Sequence, residues 1–525
     1  MLLLEGTSIK HYVQDRLLLD IHDVKVHQQQ IIGLIGRNGS GKTTLLKMIA
    51  GELVPNEGII NSYTSVELVP QFKRTDTTKS GGEMTQAYLQ HAFNRRAGLL
   101  LLDEPTTNLD TEHIEWLEKK LTAYQGALIL VSHDRAFLDQ LCTEIWEIED
   151  GILTNFKGNY SQYMHLKEEK RKTQQEAYEK YEKEKQQLEE AIRKKEEKAQ
   201  RATKKPKNLS SSEARLKGAK PYFANKQKKL RKTVSAFETR LNQMEEIKKP
   251  KDQPRIQMDI INEAVTKKQV IVRAKQLSGK VPGKLLYKPI DFYLRGGDKL
   301  AIIGANGVGK TTLVKKLLDT SDDRISISSS IKIGYFDQHI RIVDEKTSIL
   351  ENVQSSSKQN ETLIRTVLAR MNFLGDDVHK LVNVLSGGEK VKVALSKLFL
   401  SDVNMLVLDE PTNFLDIESI EALEVLLQQY TGSVIFISHD RMFIKNIATK
   451  ILEIKNKNIT FFEGSYDQYQ ERIDHQENNS SQDQLLLLET KISDVLSRLS
   501  IEPSEELEKE FQNLLKEKQK FIRKS

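Results

Sequence analysis

The sequence predicts an α/β fold that occurs twice in one chain, with an extended α-helical hairpin between the copies and a short helical C-terminal extension. Three observations carry this. Several segments of the first third return, in order, in the second half. Each copy has a glycine loop between an apolar run and a helical apolar pattern, and a dense run of alternating charge separates the copies. The 525 residues exceed what one hydrophobic core organises. An apolar fraction of 38% beside a charged fraction of 29% fits packed domains carrying a long exposed element.

The repeat sets the boundaries. Gly36–Thr44 (GRNGSGKTT) returns as Gly304–Thr312 (GANGVGKTT), an offset of 268. SGGE at Ser80–Glu83 returns at Ser386–Glu389, and Leu99–Asp110 returns as Met405–Asp416. LVSHDR at Leu130–Arg135 returns as ISHDR at Ile437–Arg441, and Gly158–Tyr163 as Gly464–Tyr469, all at an offset of 306. The change of offset locates one length difference. It lies between Gln71 and Ser80 in the first copy and between Gln338 and Ser386 in the second, where a helical pattern runs near Glu361–Phe373. The expected division is a first domain at 1–164, a helical hairpin linker at 165–255, a second domain at 256–472 and an extension at 473–525.

The loops imply phosphate binding. Ile31–Ile35 leads into Gly36, Asn38, Gly39, Ser40, Gly41, Lys42, Thr43 and Thr44, then Leu45, Leu46, Met48 and Ile49 at helical spacing. Glycines let the backbone curl around phosphates, and N–H groups at the helix start bind the anion. Lys42 is placed to reach the β- and γ-phosphates of a nucleotide, and the Thr43 hydroxyl to ligate Mg²⁺. Gly304, Asn306, Gly307, Val308, Gly309, Lys310, Thr311 and Thr312 repeat these roles.

Leu99–Leu102 reads as a buried strand ending in Asp103 and Glu104. Strand alternation points neighbouring side chains to opposite faces. Asp103 then helps hold the metal while Glu104 faces a water lined up on the γ-phosphate, and Asp409 and Glu410 repeat the pair. An acidic helix cap is the plainer alternative, disfavoured because Pro105 and Pro411 follow both pairs. His133 and His439 follow apolar strands and are placed to contact the γ-phosphate. A structural histidine is the alternative. Gln71 and Gln338 follow short apolar runs and would sense Mg²⁺ or the attacking water. Tyr12 either stacks on a base or is an ordinary strand residue, and its aligned partner is Lys280, not an aromatic. Together these groups suit nucleotide hydrolysis by positioning and electrostatics.

These residues resemble the ATP-binding cassette (ABC) superfamily, with glycine loop, glutamine loop, SGGE signature, paired carboxylates and switch histidine in order and twice. The resemblance implies two tandem ABC-type nucleotide-binding domains paired head to tail, each ATP sandwiched between one glycine loop and the other half's signature. Site one then adds Ser386, Gly387 and Gly388 to its own residues, and site two adds Ser80, Gly81 and Gly82. Within the superfamily, tandem cassettes joined by a charged helical linker, with DEPTNxLD and GxYxxY segments, resemble the ABC-F subfamily. The short first cassette and long basic-tipped linker resemble its Vga-type antibiotic-resistance proteins. That resemblance implies an ATPase using ATP and Mg²⁺ that acts as a monomer on the 70S ribosome. It would bind near the tRNA exit and P site, contact 23S rRNA and P-site tRNA, and counter streptogramin A, lincosamides and pleuromutilins. One departure bears on site two: Lys79 stands where the second signature has Leu385.

The linker carries the charge. The chain's formal charge is +6, yet His165–Pro250 holds 26 Lys/Arg against 14 Asp/Glu. His165–Lys204 reads as a solvated helix supported by Glu–Lys pairs four apart, with Tyr178, Tyr181, Leu188 and Ile192 as sparse apolar positions. Pro206 breaks it, and Leu216–Met244 resumes with Leu230, Val234, Phe237 and Leu241 on one face, Pro221 obscuring its start. The tip near 205–223 includes Lys207, Arg215, Leu216, Lys217, Lys220, Tyr222 and Phe223. Bases with aromatic or apolar side chains suit RNA, where phosphates give affinity and rings stack. A charged spacer is the alternative. The extension reads as two short amphipathic helices, 485–499 and 507–522, serving either as a second ribosome contact or as a docking helix.

Lone Cys142 excludes an intrachain disulfide and fits a reducing compartment. No run of eighteen apolar residues occurs, and Met1–Gly6 reads as a first strand, so a cytoplasmic protein without a transmembrane partner is expected. A housekeeping translation factor, the ATPase half of an exporter and a non-catalytic scaffold are the rival readings. Two intact carboxylate pairs disfavour the last.

Overall fold

The computed structural model describes the chain except residues 72–80, 108, 202–218, 245–246, 248–268, 282–283, 320–321, 338–341, 474, 476–487, 494, 497–504 and 523–525. It divides into two compact units, Met1–Phe156 with Ile256–Ser525, and Lys157–Arg255.

In the first cassette the strands are β1 Leu2–Val13, β2 Arg16–His27, β3 Ile31–Gly36, β4 Glu57–Ser62, β5 Val66–Val69, β6 Leu99–Asp103, β7 Ala127–Val131, β8 Glu144–Glu149 and β9 Ile152–Lys157. The helices are α1 Lys42–Ile49, α2 Gly81–Arg95, α3 Thr111–Thr122 and α4 Arg135–Leu141. β1 pairs antiparallel with β2 and β4 in a small sheet whose faces alternate between core and solvent. The main sheet has the order β5-β6-β7-β3-β8-β9, and the pairings from β5 through β8 are parallel. LLLLD and ALILV are buried at every position. Continuous burial of this kind is what a parallel strand covered on both faces requires, and it explains the unbroken apolar runs.

The hairpin unit contains α5 Tyr160–Arg201 and α6 Ala219–Gln243. At 42 residues α5 is about 63 Å long. It begins before the expected His165, because Asn159 accepts the Gln162 N–H at 3.1 Å and caps a turn that absorbs the GxYxxY segment. α6 passes through Pro221 in its first turn, where a missing N–H costs nothing. Leu188, Ala199 and Val234 are buried between the two helices, and Arg240 donates to Glu184 at 2.7 Å. Tip residues Lys207, Arg215, Leu216 and Lys217, and the side chains of Lys220, Tyr222 and Phe223, lie outside the described residues.

The second cassette repeats the plan with β10 Val270–Val281, β11 Lys284–Arg295, β12 Lys299–Gly304, β13 Ile325–Ile327, β14 Ile333–Phe336, β15 Met405–Asp409, β16 Ser433–Ile437, β17 Lys450–Lys455 and β18 Asn458–Glu463. Its main sheet runs β14-β15-β16-β12-β17-β18. The helices are α7 Lys310–Leu317, α8 Ile349–Gln354, α9 Glu361–Arg370, α10 Gly387–Leu400, α11 Ile417–Gln429 and α12 Arg441–Ile447. The extra residues of this half form α8, α9 and two 3₁₀ turns packed on α10, with Ile349, Val353, Ile364, Val367 and Leu368 buried. The extension contributes α13 Glu505–Ile522, whose Lys518 pairs with Glu489 at 2.7 Å. No helix among the described residues is long and apolar enough to cross a membrane.

Candidate functional site

Parallel pairing gathers the polar groups. β6, β7 and β3 are neighbours running the same way, so their carboxyl ends share one sheet edge. That edge carries Asp103 and Glu104 after β6, His133 after β7 and the Gly36–Thr44 loop after β3. Gln71, exposed, follows β5 at the same edge. β15, β16 and β12 do the same for Asp409, Glu410, His439 and Gly304–Thr312. Gln338 lies outside the described residues.

The loops need their glycines. Gly36, Gly39 and Gly41 have φ of 151, 77 and 99°, and Gly304, Gly307 and Gly309 have 145, 75 and 106°. A Cβ on Gly36 would meet the Ile148 carbonyl oxygen at 2.6 Å, and one on Gly304 the Ile454 carbonyl oxygen at 2.5 Å. The loops curl around the lysines. Lys42 Nζ donates to the carbonyls of Gly36 and Arg37 at 2.7 and 2.9 Å. Lys310 Nζ donates to those of Gly304 and Ala305 at 2.8 and 3.0 Å and lies 3.1 Å from His439 Nε2. Burial lowers both ammonium pKa values, with nearby carboxylates opposing it. Thr44 and Thr312 sit one residue on, in the first turns of α1 and α7.

The threonines and aspartates meet as the spacing implied. Thr43 Oγ1 donates to Asp103 Oδ2 at 2.8 Å and Thr311 Oγ1 to Asp409 Oδ2 at 2.9 Å. The other Asp409 oxygen, Oδ1, is buried without a hydrogen-bond partner among the described residues. A hydroxyl and a carboxylate sharing one point, with a spare buried oxygen, form a hard-oxygen donor set of the kind Mg²⁺ takes.

Glu104 and Glu410 part from their aspartates for a different reason than alternation. The strands end at Asp103 and Asp409, and both glutamates have φ of 53°, in the left-handed region. Their N–H groups still bond Val131 and Ile437 carbonyls at 2.9 and 3.0 Å. A left-handed non-glycine residue repeated in both halves is strain of the sort that clusters at reactive sites. Burial raises the Glu104 pKa to about 8 and that of Glu410 to about 7. Burial likewise lowers His133 and His439 to about 3. Glu104 Oε1 lies 3.3 Å from His133 Nε2, and Glu410 Oε1 3.4 Å from His439 Nε2. With both imidazoles neutral, these are polar contacts and not ion pairs.

The sites face across the cassettes. Asp416, at the start of α11, accepts the Asn38 N–H at 3.2 Å, and Asp110, at the start of α3, accepts the Asn306 N–H at 2.9 Å. Asn38 Nδ2 donates to the Phe414 carbonyl at 2.9 Å. A Cβ on Gly388 would lie 3.0 Å from Asn38 Nδ2, which puts the second half's signature against the first half's loop. Ser386 caps α10 in a reciprocal box with Glu389, and a Cβ on Gly387 would meet nothing within 4 Å. The Ser80 position and the surroundings of Gly81 and Gly82 lie outside the described residues. Ser40 Oγ is buried without a described hydrogen-bond partner, and the site-two equivalent is Val308. Tyr12 is exposed, with its N–H on Asn56, and sits opposite Leu17, as Lys280 sits opposite Leu285.

Sequence reading missed the cross-cassette ion pairs. Arg135 pairs with Glu424, Arg441 with Glu118, and Arg37 with Glu418. The only signal available was SHDR and its Arg recurring, which says nothing about partners 289 or 323 residues away.

A family model described as ABC transporter matches residues 19–79 and 287–413, and a second with the same description matches 146–258. Ribosome protection protein VmlR of Bacillus subtilis (strain 168) is 32% identical over 98% of this chain and 97% of its own length. The chain belongs to the ABC-F family of ATPases. Erythromycin resistance ATP-binding protein MsrA of Staphylococcus epidermidis is 34% identical over 86% of this chain and 97% of its own length. ABC transporter F family member 5 of Arabidopsis thaliana is 36% identical over 75% of this chain and 54% of its own. The archaeal ribosome recycling factor aABCE1, solved with stalk protein aP1, superposes with a TM-score of 0.60 at 18% identity, over 89% of this chain and 92% of that one. That likeness supports the fold. As an ABC-F protein the chain binds and hydrolyses ATP.

Proposed function

We propose that this ABC-F protein is an ATP-driven, cytoplasmic ribosome-protection factor acting as a monomer. The observation that carries the reading is the likeness to VmlR over nearly the whole of both chains, hairpin included. MsrA, named for erythromycin resistance, points the same way. The target is the 70S ribosome near the tRNA exit and P site. The basic tip at 205–223 contacts 23S rRNA and P-site tRNA and displaces drugs of the peptidyl-transferase centre, of the streptogramin A, lincosamide and pleuromutilin classes. The first cassette then passes into the hairpin linker at Lys157 and not at 165, the linker runs to 255, the second cassette spans 256–472 and the extension 473–525.

The chemistry follows from the site. Lys42 and Lys310, with the loop N–H groups, neutralise the phosphates. Thr43, Asp103 and Gln71, and in the other half Thr311, Asp409 and Gln338, would hold Mg²⁺, which when bound would supply positive charge against the phosphates. Glu104 and Glu410 orient the attacking water and take its proton. Once ionised, a form the neighbouring Lys42 or Lys310 ammonium favours against burial, each is a stronger base than an ordinary carboxylate. Neutral His133 and His439 each donate a ring N–H to the γ-phosphate without adding charge. Each site closes on the opposite signature, Ser386–Gly388 or Ser80–Gly82, so ATP favours the joined cassettes and hydrolysis releases them. Tyr12 stacks on the base at site one only.

The test replaces Glu104 and Glu410 with Gln together and asks what copurifies with the ATP-loaded protein. Ribosomes are expected, and a membrane complex without ribosomes would sink the proposal. Drug-inhibited translation in vitro, restored by the wild type but not by a chain lacking 205–223, then separates protection from a housekeeping role. The housekeeping reading is favoured by relatives whose names carry no resistance, such as ATP-binding protein Uup of Haemophilus influenzae (strain ATCC 51907 / DSM 11121 / KW20 / Rd) at 28% identity.

A further inference from the structure

α11 of the second cassette reaches site one at three points. Asp416 at its cap accepts the Asn38 N–H, Glu418 accepts from Arg37 Nε at 2.7 Å, and Glu424 receives both terminal nitrogens of Arg135. Arg135 is two residues from His133 and opens α4. The segment between them is tied down by Ser132 Oγ, which accepts the Asp134 N–H at 3.1 Å, and by Asp134, which accepts the Phe137 N–H at 3.1 Å. Fixing the guanidinium therefore fixes the start of α4 and the backbone that carries His133.

The pair is built for this. The Arg135 and Glu424 side chains are 5% and 8% exposed. Asn446 Nδ2 donates to Glu424 at 3.0 Å and orients it from its own cassette. Asp440 of the second SHDR lies 3.7 Å from Arg135 Nη2. A forked guanidinium–carboxylate contact is strongly directional, and parting it leaves buried charge uncompensated.

Site two has a looser version. Arg441 reaches Glu118 at 3.4 Å and Glu115 only at 4.0 Å, and its side chain is 21% exposed. Gln140, with its amide turned to donate, stands to Glu118 as Asn446 stands to Glu424. Ala305 replaces Arg37, so the Arg37–Glu418 tie has no counterpart.

We propose that Arg135 and Glu424 are a positioning pair. From the opposite cassette they hold the His133 segment of site one in its working geometry, and site two lacks an equally tight counterpart. The inference concerns ATP turnover at site one and rests on the reading of Glu104 and Glu410 as the hydrolytic carboxylates.

Glu424→Gln in the full chain keeps the side-chain shape and removes the charge. Amide exchange across residues 128–138 should then speed up at least about fivefold, while residues 434–444 change by less than about twofold. In a Glu410→Gln background, where site one alone turns over, Glu424→Gln should lower kcat about tenfold with little change in KM. In a Glu104→Gln background the loss should stay below about threefold. Arg135→Lys, which keeps the charge but not the fork, should fall between wild type and Glu424→Gln and guards against a variant that does not fold. Unchanged exchange at 128–138, or equal slowing of both sites, overturns the proposal. If the two single Gln backgrounds fail to divide turnover, the carboxylate assignment fails instead, and the exchange result still decides the pair.

Discussion

Asp416→Asn probes the charge that joins the cassettes at site one. The Asp416 carboxylate is buried. It accepts from the Asn38 N–H at 3.2 Å, from the Ser419 N–H at 3.0 Å and from the Ser419 hydroxyl, and Lys392 Nζ lies 3.3 Å away. Burial works against its ionised form, but the Lys392 ammonium and these hydrogen bonds outweigh it and hold the pKa at about 2, below the ordinary 3.8. A folded-state pKa lowered this far corresponds to roughly 2–3 kcal/mol of stability at neutral pH. Asn keeps the shape and much of the cap but leaves buried Lys392 without its counter-charge, so a loss of about 2–3 kcal/mol is expected. Urea unfolding followed by far-UV circular dichroism measures it. Because the folded pKa lies below the unfolded one, the contribution is fully present above about pH 4 and is lost as pH falls through about 2. The gap between wild type and variant should stay level from pH 7 to pH 5 and shrink toward pH 3. A gap under about 0.5 kcal/mol at pH 7, or one that widens on acidification, refutes the reasoning. Asp110→Asn should cost less, because Gln86 stands where the second half has Lys392.

Three further outcomes follow from particular contacts. Glu104→Gln with Glu410→Gln should lower steady-state phosphate release by a factor of about 10² to 10⁴ while ATP binding persists, measured by a phosphate sensor and a fluorescent nucleotide. Gly36→Ala, which would place a Cβ 2.6 Å from the Ile148 carbonyl at a φ of 151°, should weaken nucleotide binding at site one by at least about tenfold in titration calorimetry. Cys142 is buried and its thiol pKa is pushed up by burial, so the native protein should resist iodoacetamide for hours and label promptly in urea, as read by mass spectrometry.

Much of the site was legible because its parts are local. A glycine loop opening a helix, two carboxylates closing an apolar strand and a histidine closing another each occupy a handful of consecutive residues. Parallel pairing then brings them to one sheet edge without further information. The reason Glu104 separates from Asp103 was not legible, since alternation would have given the same separation and the left-handed φ leaves no mark in residue type. The long charged helix was legible from composition. Its early start was not, because GNYSQY reads as the close of a cassette until Asn159 is seen capping the next turn.

The sequence by itself determined that a glycine loop, a carboxylate pair and a histidine occur twice in the same order, and that a basic helical element separates the copies, because periodicity and spacing encode local conformation. Only the tertiary structure decided what binds the sites to one another. Asn38 on Asp416, Asn306 on Asp110 and Arg135 on Glu424 join residues 196 to 378 positions apart. Such pairs depend on how two closed surfaces meet, and no period in the chain records that. The same meeting distinguishes the sites: the Arg37–Glu418, Arg135–Glu424 and Lys392–Asp416 contacts all serve site one, and the repeat, read as a repeat, conceals the difference.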